Sequence, residues 1–129
     1  MQKFIIKGSL PSMNEIIEAA KSHYGAYSKM KKEYTELVKY SAYGLKPCSK
    51  ATLIIKYYCK DKRKDKDNIA AGKKFILDGL QAAKIIPNDN WVGIETWREE
   101  FYTDKANPRI EVEVIDKTEV EYGDYTKNL

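Results

Sequence analysis

The sequence predicts a mixed α/β domain of the α+β type: one mixed four-stranded sheet with helices packed on it. Three observations carry this reading. Residues 52–59 are β-branched and aromatic nearly throughout, which marks a strand. Ile110, Val112 and Val114 alternate with Glu111 and Glu113, the period-2 pattern of a strand with one buried face. Apolar residues at helical spacing fill the segments before and after Thr52–Cys59. The elements run strand, helices, strand, helix, strand, strand.

Gln2–Lys7 opens the chain as a short strand around Phe4, Ile5 and Ile6, closed by Gly8-Ser9-Leu10-Pro11. Ser12-Met13-Asn14-Glu15 has the capping-box pattern, so a first helix is expected from Ser12 to about Ser22, breaking near Gly25. A second is expected over Ser28–Ala42, with Met30, Tyr34, Leu37 and Val38 facing the core. Lys29, Lys31, Lys32 and Lys39 fall mostly off that stripe, which leaves them as phosphate contacts or, more simply, a solvated polar face. Both faces of Thr52–Cys59 are apolar, which predicts a central strand. Asn68–Lys84 reads as one helix with a stripe of Ile69, Ile76, Leu80 and Ala83 beside a second of Phe75, Gly79 and Ala82. Pro87-Asn88-Asp89-Asn90 is a turn. Trp91–Tyr102 and Arg109–Ile115 are the last strands, so the domain is expected over 1–115, with a polar tail over 116–129.

Composition bounds the function. The chain of 129 residues suits one domain with one core. No run approaches a membrane span, and no signal peptide is visible, so the expected compartment is the cytoplasm. Cys48 and Cys59 lack Cys or His partners at zinc spacing, and the only histidine is His23. Free thiols and a surface histidine are expected, and a Ser-His-Asp triad is not supported. Residues 1–74 hold 17 Lys/Arg against 7 Asp/Glu, whereas residues 75–129 hold 6 against 12. A basic half of this kind favours nucleic acid as partner. A membrane is disfavoured, because no basic amphipathic helix with an aromatic face is present.

Within the basic half, Asp65 and Asp67 stand among Lys60, Lys62, Arg63, Lys64 and Lys66 where the strand pattern gives way to the helical one. Two carboxylates two residues apart on extended backbone point the same way. With Asp89 returned to the same end of the sheet by the turn, they would form a Mg²⁺ site beside the lysines that hold phosphate. Seven residues is nearly two helical turns, which places Lys74 on the face of Asp67 and Lys73 about 100° away. Lys74 is therefore the candidate for stabilising transition-state charge, and Lys73 joins the DNA contacts. Asn68 is a helix cap or a residue supporting the ligands. Residue types alone leave this junction open between a metal site and a cap with a solvated turn. An EF-hand is set aside, since neither Asp61 nor Asp65 as first ligand gives Gly at position 6 and Glu at position 12. Asp78 reads as a cap-like or interface residue, and Asp61 and Asp104 as solvated loop acids.

The order Asp65-x-Asp67-Asn68-Ile69, then Lys74-x-x-x-Asp78-Gly79-Leu80, then a turn with Asp89, resembles the RusA-like family of Holliday-junction resolvases. Leu10-Pro11-Ser12-x-Asn14 is similar to that family's Pro-Ser-x-Asn segment. The resemblance spans roughly Lys3 to Val114. It implies a homodimeric endonuclease, dependent on Mg²⁺ or Mn²⁺, that cuts opposing strands of a four-way DNA junction. By position, Asp65, Asp67 and Asp89 match the family's catalytic carboxylates and Lys74 its catalytic lysine. Two alternatives stand beside it: a branch- or flap-directed nuclease of looser specificity, and a non-catalytic DNA-binding dimer that retains the acidic cluster.

Overall fold

The computed structural model describes residues 1–117, so the expected tail lies outside the described residues apart from Asp116 and Lys117. The elements are β1 (Gln2–Lys7), α1 (Met13–Ser22), α2 (Ala26–Ser41), β2 (Ala51–Cys59), α3 (Lys66–Ala70), α4 (Lys73–Ala82), β3 (Ile94–Thr103) and β4 (Arg109–Asp116). The strands form one mixed sheet in the order β1-β4-β2-β3. β2 is interior, as its two apolar faces predict. β4 pairs antiparallel with both β1 and β2, while β2 and β3 are parallel. The first three strands therefore point one way, and β4 is threaded against them.

Local chemistry sets the boundaries. Ser12 caps α1 with the full box: its hydroxyl accepts from the Glu15 amide, and its own amide donates to the Glu15 carboxylate. Gly25, at φ +86°, supplies the left-handed turn that separates α1 from α2. Gly79 lets α2 and α4 cross closely, since a Cβ there would lie 2.4 Å from Val38 Cγ1. The core lies between these helices and one sheet face, around Ile6, Val38, Leu53, Ile55, Phe75, Ile76, Leu80 and Val112. Leu37, expected inside, is exposed.

Among the described residues, no helix packs on the other sheet face. Along β2 the residues alternate between fully buried Ala51, Leu53, Ile55 and Tyr57 and half-buried Thr52, Ile54, Lys56 and Tyr58. This open face is tiled with charge pairs: Lys3 to Glu111 at 2.7 Å, Arg109 to Glu111 at 2.7 Å and Arg98 to Glu100 at 3.1 Å. The guanidinium of Arg109 covers the Tyr58 ring, which stacks on Tyr102. Glu111, expected on a wet face, is thereby buried between two cations, which hold its carboxyl below the usual range.

Candidate functional site

The expected single helix over 68–84 is divided at Ala71-Gly72. Gly72 sits against Leu10, where a Cβ would approach Leu10 Cβ to 2.9 Å. The bonds through the junction are tightened to i→i−3: Gly72 to Ile69, Lys74 to Ala71 and Phe75 to Gly72. Each tightened residue adds about 20° of extra rotation, 120° against 100°. A few such steps turn Lys74 off the Asp67 direction and bring Lys73 toward it. The expected advantage of Lys74 on helical phase is thus narrowed.

Their surroundings separate them further. Lys73 is half-buried, its Nζ 2.9 Å from Glu99 Oε1 and 4.4 Å from the centre of the Trp97 ring. The other Glu99 oxygen accepts from the buried Tyr57 hydroxyl at 2.9 Å, and Phe101 stacks on Tyr57. Burial and Glu99 both push the Tyr57 hydroxyl far above its usual pKa, so it remains a donor. Lys73 is thus committed to Glu99 rather than offered outward as a phosphate contact. Lys74 is exposed in the first turn of α4, with no ion pair among the described residues.

Asp65 and Asp67 lie where expected, just beyond the carboxyl end of β2, but Asp67 stands in the first turn of α3 rather than on the extended backbone expected to align the two carboxylates. Asp65 is extended at the N-cap of α3, yet its side chain makes no capping bond. Asp67 accepts its neighbour Asn68's amide at 2.9 Å through one oxygen. Both carboxylates are exposed and line an open groove of about 820 Å³, with Lys62, Lys66 and the Phe101–Thr103 end of β3. The carboxyl ends of the parallel strands meet here, where Asp104 donates its amide to Cys59 at 2.7 Å. That edge is where open α/β sheets place ligands.

Asp89 is not in this groove. α4 runs back along β2, and a strand parallel to β2 must start at β2's beginning, so the turn before β3 sits at that opposite end. The nine residues of β2 span roughly 26 Å between the two places. The expectation that Asp89 returns to Asp65 and Asp67 within one chain is therefore corrected. Asp89 instead lines a second groove with Trp91 and residues 94–97. Asn88 organises its turn, accepting the amides of Asn90 at 3.2 Å and Gly93 at 3.1 Å. Among the described residues, no three acidic, Cys or His side chains gather where they could hold one metal ion.

Contacts that the sequence did not announce fix the Asp65–Asn68 junction to α1. Asn68 Oδ1 accepts the Asn14 amide at 3.0 Å, so Asn68 caps α1 rather than its own helix. Lys64 Nζ reaches Glu15 at 2.8 Å, which holds the Glu15 carboxyl below its usual range. Arg63 lies beside Asp61 at 3.7 Å. Lys60, Lys62 and Lys66 are exposed without ion pairs among the described residues. Asp104, expected in solvent, binds Arg109 at 2.8 Å, and Asp78 has one enclosed oxygen with no hydrogen-bond partner. Cys48 and Cys59 are free thiols, as expected, and His23 is exposed. No helix among the described residues is long and apolar enough to cross a membrane. Comparison with protein-family models gives no match, and neither does a search of curated proteins.

Proposed function

We propose that this chain is a Mg²⁺-dependent endodeoxyribonuclease that resolves four-way DNA junctions by paired phosphodiester hydrolysis, acting as a homodimer. One observation carries the reading. Two exposed carboxylates without ion pairs among the described residues, Asp65 and Asp67, lie in the groove at the carboxyl ends of the parallel strands, beside Lys62 and Lys66. The order of residues shared with the RusA-like resolvases supports the same reading.

The donor set fits the ion. Mg²⁺ takes one or two carboxylates and completes its shell with water and phosphate oxygens, so Asp65 and Asp67 suffice to begin a site. Mn²⁺ fits the same oxygen donors. The chemistry the ion supplies in such a setting is polarisation of a phosphoryl oxygen. The chain's own residues do the rest. Lys60, Lys62 and Lys66 attract and seat the DNA backbone, which makes binding salt-sensitive. Lys74 carries the free ammonium at the same end of the sheet, available to charge that develops on the phosphate. Asn68 and Lys64 hold the junction that carries the two aspartates against α1. Asp89 completes a three-carboxylate set only when another chain brings it.

The distance of Asp89 from the pair favours one second reading, a DNA-binding dimer without cleavage. A synthetic four-way junction and a linear duplex, each with Mg²⁺ and with EDTA, separate the readings. Paired symmetric cuts in the junction alone, lost in EDTA, are expected. Metal-independent binding with no cuts establishes the second reading, and branch-independent cuts a looser nuclease.

A further inference from the structure

β3 ends the sheet, and among the described residues no strand pairs with its outer side. It is the longest strand, at ten residues. Past an irregular start near Glu95 it runs in unbroken register with β2 from Thr96 to Thr103. Edges of this kind are normally blunted by short length, charged side chains (lysine above all), proline or a bulge. The opposite edge follows that rule, since β1 has six residues and carries Lys3 and Lys7. The regular part of β3 contains neither lysine nor proline, and each of its charges, Arg98, Glu99 and Glu100, is already paired within the chain.

The pattern along β3 complements itself. Trp97, Glu99 and Phe101 face the helices, and Thr96, Arg98, Glu100 and Tyr102 face the open side. In an antiparallel pair about a two-fold axis, opposed residues share a face, so the axis must pass beside a single residue. Centred on Glu99, the pairing sets Arg98 opposite Glu100 of the second copy, twice. It also sets Trp97 opposite Phe101, twice, an aromatic pair of the kind that stabilises sheets. Centred on Arg98 or Trp97 instead, it opposes two arginines, or Glu95 and Glu99 twice. The cost at Glu99 itself is met inside each chain, because Lys73 and Tyr57 already bind that carboxylate. Lys73 also lies over Trp97, which helps hold that ring in place.

We infer that β3 is the surface on which a second copy of this chain docks, in antiparallel register centred on Glu99, joining two sheets into one of eight strands. This deepens the dimer of the proposed function, and its test reads mass rather than cleavage, so the two fail separately. The experiment is sedimentation of the wild type, of Arg98→Glu, of Glu100→Arg, and of an equimolar mixture of the two variants, all without DNA. The wild type sediments as a dimer. Each variant alone opposes like charges twice and dimerises about 10- to 30-fold more weakly. The mixture restores the dimer, because Glu at 98 then meets Arg at 100 across the axis, although neither chain's own 98–100 pair is repaired. A monomeric wild type, single variants that dimerise normally, or a mixture as dissociated as its parts overturns the interface.

Discussion

The ammonium of Lys73 lies 2.9 Å from a Glu99 oxygen and ties the first turn of α4 to the edge strand β3. Removing it leaves a half-buried carboxylate with only Tyr57 for company. Lys73→Ala is therefore expected to lose about 1–2 kcal/mol of stability in urea denaturation, less than a fully buried pair because both groups keep some solvent. Glu99→Gln in the Lys73→Ala background should recover part of that loss.

Lys74 is the contrasting case. Its exposed side chain contributes little to the fold, so Lys74→Ala should melt within about 0.5 kcal/mol of the wild type. Single-turnover junction cleavage should nonetheless fall by about 100-fold, the scale of one transition-state donor. Equal cleavage by Lys74→Ala and wild type removes the lysine from the site.

Asp67→Asn should bind a four-way junction with unchanged or tighter affinity and fail to cut it in Mg²⁺. Near-normal cleavage by this variant would falsify the assignment of the metal site.

The two grooves make a sharper test. Thr96 and Trp97 line the groove that holds Asp89, whereas Phe101 and Tyr102 line the one that holds Asp65 and Asp67. Pairing two β3 strands about Glu99 brings these linings together, one groove from each copy. Asp67→Asn mixed with Asp89→Asn then has one intact set of carboxylates per dimer, and nicking should return in the mixture though each variant alone is inert. No recovery means that Asp89 serves no shared site.

Acid should loosen α1 from the aspartate junction. The Glu15 carboxyl is held below its ordinary value of 4.5, chiefly by Lys64. A lowered folded value means that the contribution is present above the unfolded value and fades as pH falls through the folded one. Glu15→Gln should therefore be less stable at neutral pH and show a shallower loss of stability below about pH 4.5. Parallel pH curves for the two proteins contradict the linkage.

The sheet was legible because β-branched runs and strict alternation leave one reading for 52–59 and 109–115. The Asp65–Asp67 end was legible too, since two acids among lysines stand out at a strand-to-helix junction. Three things were not. The break at Gly72 depends on Leu10, a neighbour 62 positions away in the chain. The position of Asp89 follows from whether β3 runs parallel or antiparallel to β2, which residue types in β3 do not state. A helix that runs back along its strand returns the chain to that strand's start, so a parallel β3 requires the separation observed. The Lys73–Glu99–Tyr57 contact joins residues whose spacing carries no motif, and only the pairing of Tyr57 with Phe101 in the ladder brings them together.

β4 carries a consequence for how the protein comes into being. It lies between β1 and β2, which are hydrogen-bonded to it rather than to each other. During synthesis, residues 1–108 emerge carrying Asp65, Asp67, Asp89, the basic loop and the segments of α1 to α4, yet β1 has no strand to join. The sheet closes only after residues 109–116 leave the ribosome, and such late, long-range pairing is slow to form. A nascent chain therefore carries the basic loop before it carries a finished scaffold to aim it.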